Sequence, residues 1–133
     1  PVFFSRITYG KMTGLFSSKE YEEKKFPKIV LLTGIANPNP LLKEMKKIDS
    51  GLVHLKYPDH HPFNQKNIQQ IITTFAQLNA ANKIIVTTEK DAMRLKQIEV
   101  LKDLPIFFIP IEIEIIDQKQ EFNYLIQDYV RNN

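Results

Sequence analysis

Apolar runs alternate with helical-period segments along most of this chain, and that alternation predicts an α/β fold. Ile29-Val30-Leu31-Leu32-Thr33 is an unbroken apolar run, the pattern of a strand buried on both faces. Gly34 ends it. Asn39 followed by Pro40 reads as an N-cap with proline at the first helical position, and Leu41, Leu42, Met45 and Ile48 follow at helical spacing. A second strand is expected from Leu52 to Tyr57. Asn64 then caps a helix whose apolar positions are Ile68, Ile71, Ile72, Phe75 and Leu78. Lys83 to Thr87 predicts a third strand. Thr88-Glu89-Lys90-Asp91 resembles a capping box, with Asp91 where Glu or Gln is usual, and opens a helix carrying Ala92, Met93 and Leu95. By their periodicity Met45, Phe75 and Met93 belong to the core. Pro105 to Ile116 is a fourth apolar run, and Pro110 inside it predicts an edge strand or a bend. Its second half alternates Ile111, Ile113 and Ile115 with Glu112 and Glu114, which predicts one wet face. A last helix is expected over about 118–131, with Phe122, Leu125, Ile126 and Tyr129 on one side.

Strands alternating with helices imply βαβ units and a mostly parallel sheet. The start of the chain reads differently. Residues 2–8 have strand composition, whereas residues 9–27 are polar, with Gly10, Gly14 and a charged run from Lys19 to Lys25. The expected organisation is a strand and linker over 1–26 (a hinge strand, on the resemblance given below), then a Rossmann-like three-layer α/β/α domain over 27–133.

Composition narrows the classes. A length of 133 residues with 43% hydrophobic content suits one compact domain. The absence of cysteine excludes a disulfide framework, a thiol nucleophile and a Cys-based zinc site, and fits a reducing compartment. The 18 basic and 15 acidic residues are interspersed and leave a net charge of only +3, which does not argue for a nucleic-acid partner. No apolar stretch is long enough to span a bilayer and no signal peptide is visible. The chain opens on Pro1 without an initiator Met, as expected of a piece of a longer protein.

Three strand-to-helix loops carry the candidate chemistry, and in a parallel sheet all three open on the carboxyl edge, where ligands usually bind. Tyr57-Pro58-Asp59-His60-His61-Pro62-Phe63 is the most informative. Its prolines stiffen the loop, and its histidines titrate near neutrality with an aspartate beside them. A surface turn with two solvated imidazoles is the plain alternative. Gly34-Ile35-Ala36-Asn37-Pro38-Asn39-Pro40 permits close backbone approach ahead of a helix N-terminus, or is simply a stiff turn with a cap. In Thr87-Thr88-Glu89-Lys90-Asp91 the acids suit a first helical turn, but Lys90 opposes the helix dipole and is free to meet a phosphate or a neighbouring carboxylate. His54, mid-strand, reads as structural. No G-x-x-x-x-G-K-[ST], H-E-x-x-H or G-x-S-x-G motif occurs.

In this order and spacing the three loops resemble the C-terminal half of the tetraacyldisaccharide 4′-kinase family, the lipid A 4′-kinases. Thr33 to Pro38 is similar to the family's G-I-x-N-P, Tyr57 to Phe63 to its F-P-D-H-H, and Thr87 to Leu95 to its T-T-E-K-D-A-x-R-L. Ala36 departs from the glycine that the family often has. Residues 1–16 are similar to the strand joining the family's two halves. The family phosphorylates the 4′-hydroxyl of a tetraacylated disaccharide 1-phosphate at the cytoplasmic face of the Gram-negative inner membrane. The resemblance therefore implies ATP and Mg2+ as cofactors of the full-length enzyme, held mainly by an N-terminal P-loop domain that this chain does not contain. It implies as partners that domain, the lipid A disaccharide precursor and the inner-membrane surface, with the fragment itself soluble and inactive alone. On the matching motif, His60 would orient the distant catalytic aspartate, with Asp59 and His61 in support. Gly34, Asn37, Thr88, Glu89, Lys90 and Asp91 would lie near the cleft, and no metal ligand is assigned.

Two other readings stay open on the residues alone. One is a non-catalytic Rossmann-like module that binds a nucleotide or a partner. The other is a metal-dependent phosphoesterase, because Asp-His-His also marks that class; such a site needs further carboxylates converging on two metals.

Overall fold

The computed structural model describes residues 3–22 and 25–117. The helix expected over 118–131 lies outside them, as do the side chains on which the wet face at Glu112 and Glu114 depends. Two compact units are present, one of them Lys11–Pro110.

The Lys11–Pro110 unit is a five-stranded sheet. Its strands in chain order are β2 (Thr13–Gly14), β3 (Lys28–Thr33), β4 (Val53–Lys56), β5 (Lys83–Thr88) and β6 (Ile106–Ile109), and across the sheet they run β2-β6-β5-β3-β4. β4, β3, β5 and β6 are parallel; β2 alone is antiparallel, on the outer side of β6. Three α-helices connect them: α1 (Asn39–Lys46), α2 (Gln65–Gln77) and α3 (Glu89–Leu95). The expected mostly parallel α/β fold is therefore present. The crossover from β3 to β4 runs one way and that from β4 to β5 runs back. Right-handed crossovers then put α1 on one face and α2 on the other, with α3 beside α2. The packing agrees. Val30, Leu32 and Ile85 meet Ile71 and Phe75 of α2 and Ala92 and Leu95 of α3 in one buried cluster. The alternate residues Ile29 and Leu31 are equally buried and point away from it, as they must in strands covered on both sides.

Three readings from sequence need correction. Thr13–Gly14, expected within a linker, is a strand that pairs with Phe107 and Phe108. The cap of α1 is not Asn39 but Pro38, and the Asn37 side chain accepts from the Asn39 N–H at 3.2 Å. Of the two alternatives at Pro110, the bend is the one present: Pro110 separates β6 from β7 (Ile111–Asp117), while β6 is not an edge strand, because β2 covers its outer side. Met93 is not core: it is 66% exposed, whereas Met45 and Phe75 are buried as expected.

The second unit contains a two-stranded antiparallel ladder. In it β1 (Phe3–Tyr9) pairs with β7 in a register running from Phe3 opposite Asp117 to Tyr9 opposite Ile111.

Candidate functional site

The loops after β3, β4 and β5 all leave the carboxyl edge of the sheet. Parallel neighbours force this, and hydrogen bonds then join the three loops. Gly34 is at the centre. Its N–H donates to Asp91 Oδ2 at 2.9 Å, and its carbonyl accepts from the His60 N–H at 3.3 Å and from an Arg94 guanidinium nitrogen at 3.3 Å. Glycine is needed here for space. A Cβ would come within 3.1 Å of Asp91 Oδ1 and 3.5 Å of the Pro58 carbonyl.

Asp91 differs from its sequence reading. Thr88 does cap α3, accepting from the Asp91 N–H at 3.0 Å. The reciprocal half of the box is absent, because the Asp91 carboxylate turns inward. It is fully buried, takes the Thr88 hydroxyl at 2.7 Å and the Gly34 N–H, and pairs with Arg94 one turn along α3. A buried carboxylate persists only when its oxygens are satisfied, and here donors from two loops and an arginine satisfy them.

Arg94 is the residue that sequence reasoning passed over. One guanidinium nitrogen donates to the His61 carbonyl at 2.7 Å, the other reaches Gly34 and Asp91, and the group stands 5.4 Å from the Phe63 ring centre. The available signal was Asp91 and Arg94 three residues apart, on one helix face.

The Asp59-His60-His61 loop divides its labour. His61 is held: its ring stacks on Tyr57 at 5.1 Å, and its Nε2 lies 2.8 Å from Asn67 Oδ1. That oxygen also accepts the Asn64 N–H, so the His61 nitrogen is the donor. The bonds between Asn64 and Asn67 form the expected cap of α2. His60 is the opposite. Its side chain is 74% exposed, and its φ of 60° lies in the left-handed region. That conformation is uncommon outside glycine and marks a residue held by its surroundings. Asp59 stands between two nitrogen groups, with His60 Nε2 at 3.5 Å and Lys90 Nζ at 3.4 Å. Lys90 thus meets a neighbouring carboxylate. Glu89 and Asn37 are exposed at the same edge.

His54 fills a structural place in β4, its Nε2 2.8 Å from Thr33 Oγ1. Burial, then the charges of Lys56 and Lys46, hold its pKa below the ordinary value. Among the described residues no group of three or more His, Cys, Asp or Glu is placed to hold a metal ion. A cleft of about 810 Å³ opens at the opposite, amino edge between Tyr21, Asn82, Lys83, Pro105 and Phe107, and no residue of the three loops lines it.

A parallel α/β sheet with three strand-end loops tied to one another and one exposed, conformationally held histidine is the construction of a ligand- or partner-facing edge. The chain belongs to the tetraacyldisaccharide-1-P 4′-kinase family, whose model matches residues 2–131. It is 40% identical to the tetraacyldisaccharide 4′-kinase of Bacteroides thetaiotaomicron over 99% of its own length and 39% of that protein's. It is 34% identical to the enzyme of the same name from Phocaeicola vulgatus, covering 38% of it, and 32% identical to that of Flavobacterium johnsoniae, covering 36%. The chain thus spans well under half the length of these curated relatives. No solved structure matches it.

Proposed function

We propose that this chain is the C-terminal half of an ATP-dependent lipid kinase, with the hinge and linker in residues 1–26 and the cleft-facing domain in 27–133. The whole enzyme would phosphorylate the 4′-hydroxyl of tetraacyldisaccharide 1-phosphate in lipid A biosynthesis, peripherally at the cytoplasmic face of the inner membrane. Among the described residues no helix is long and apolar enough to cross a membrane. The observation that carries the reading is His60, exposed yet fixed in a left-handed conformation at the edge where the three family motifs meet.

Phosphoryl transfer depends mostly on positioning and electrostatic stabilisation. In this reading the present domain closes over the cleft and excludes water. His60 orients the carboxylate that accepts the proton of the sugar hydroxyl, a group belonging to the other half. Asp59, shared with Lys90, holds the His60 ring, and the stacked His61 fixes the loop. ATP and Mg2+ do not fit the residues present. There is no P-loop, Asp91 is buried with both oxygens engaged, and Asp59 is paired on two sides. Both cofactors are therefore assigned to the remaining length of the enzyme. The ligand set that a two-metal phosphoesterase requires is not assembled among the described residues.

The test is His60→Ala in the complete polypeptide. Turnover should fall by roughly a hundredfold or more, the usual worth of positioned proton handling, with ATP affinity nearly unchanged. Near wild-type turnover would remove His60 from the mechanism. The 133-residue chain alone should transfer no labelled phosphate; tight nucleotide binding by it would favour a free-standing binding module.

A further inference from the structure

The strained loop at His60 is framed by two carbonyl groups, and one side chain holds both. The Gly34 carbonyl accepts the His60 N–H at 3.3 Å and an Arg94 nitrogen at the same distance. The next carbonyl along the loop, that of His61, accepts the other Arg94 nitrogen at 2.7 Å. The fork is itself aimed by Asp91, whose side chain is fully buried, and by the neighbouring Phe63 ring. A left-handed non-glycine residue persists only when its surroundings over-determine it, and these contacts do so from both sides of His60.

We infer that Arg94 is a positioning residue for His60: with Asp91 it forms a clamp that sets the backbone of the Asp59-His60-His61 loop and so the direction of the exposed imidazole. Arg94 does not touch substrate in this assignment. It is 29% exposed, and its polar contacts run inward to two carbonyls and a buried carboxylate. Lysine cannot replace it, because a single ammonium point does not span two carbonyls and a carboxylate in one plane. The catalytic part of this inference rests on the kinase reading above; the geometric part does not.

The experiment compares Arg94→Lys, Arg94→Ala and the double variant Asp91→Asn/Arg94→Met, which leaves no unpaired buried charge, in the complete polypeptide and in the 133-residue chain. In the complete polypeptide kcat should fall about 10- to 100-fold with both KM values little changed, the loss expected from a displacement of the reacting group of about 1 Å. Millimolar guanidinium should restore turnover to Arg94→Ala, whereas ammonium should not. In the 133-residue chain the His60 amide should lose protection from hydrogen exchange while Val30 and Val86 keep theirs. Unchanged His60 protection overturns the clamp outright; where His60→Ala is slow, wild-type turnover in folded Arg94→Lys or a loss that guanidinium does not repair overturns it as well. If the Ala variant does not fold, Arg94→Lys and the double variant decide. His60→Ala measured alongside separates the two levels. If it is slow while Arg94→Lys is fast, the clamp alone fails. If it is itself fast, the proton-handling reading fails, and amide exchange still judges the clamp.

Discussion

Asp49 does at the amino edge of the sheet what Asp91 does at the carboxyl edge: one carboxylate closes a loop onto a strand. Its Oδ2 accepts the Ile29 N–H at 2.9 Å, and its Oδ1 takes Lys28 Nζ at 3.1 Å and the Gly51 N–H at 3.2 Å. Burial pushes its pKa up, but the hydrogen bonds from Ile29, Lys28 and Gly51 outweigh burial and leave the carboxyl below its ordinary value. A carboxyl depressed in the fold adds stability above its unfolded pKa, and that stability is lost as pH falls through the folded value. Asp49→Asn should therefore cost about 1–3 kcal/mol at neutral pH and flatten the acid limb below about pH 4, as read by denaturant melts across pH. His54 has the same sign by another route. Its pKa is lowered by burial and by Lys56 and Lys46, so the fold takes up its proton at lower pH than the unfolded chain does. Stability is complete above its unfolded value of about 6.5 and falls below it as the unfolded chain takes up the proton. His54→Gln should remove that mild-acid slope; an unchanged slope would show that His54 is not its source.

At the scale of elements, the helix starts carry the site. Asn64→Ala removes the acceptor for the Asn67 N–H and should cost about 1 kcal/mol. It should also loosen His61, because the same Asn67 amide holds that ring. Gly34→Ala drives a Cβ toward Asp91, which is tied to Thr88, Gly34 and Arg94 and cannot withdraw. A loss of about 1–3 kcal/mol is expected, and a melting temperature equal to wild type would show that the loop relaxes. The same elements decide what could be read in advance. β3, β5 and α2 were legible because buried strands and amphipathic helices leave long periodic patterns. β2 was not, since two residues of which one is glycine have no period. Met93 misled because a seven-residue helix on the sheet face buries only a narrow stripe, and helical spacing alone does not say which side is covered. The site loops were legible as motifs, but the inward turn of Asp91 was not. Local sequence predicts the cap, whereas the Gly34 N–H that captures the carboxylate comes from another loop, 57 residues away.

At the scale of the whole molecule, the proposed function makes the chain one party to an active site rather than an active site. On that reading its carboxyl edge supplies the exposed imidazole and leaves the triphosphate to the other half. Mixing experiments should therefore show activity only when the remaining part of the polypeptide is supplied. The pairing of β2 with β6 carries a separate consequence. Thr13 lies opposite Phe108, so the Lys11–Pro110 unit begins and ends on neighbouring strands about one strand spacing, ~5 Å, apart. In topological terms its two ends nearly meet. A few glycines would join Pro110 back to Lys11 at little entropic cost, giving a covalent ring of the sheet alone. Such a circle should keep the fold with no free terminus to fray.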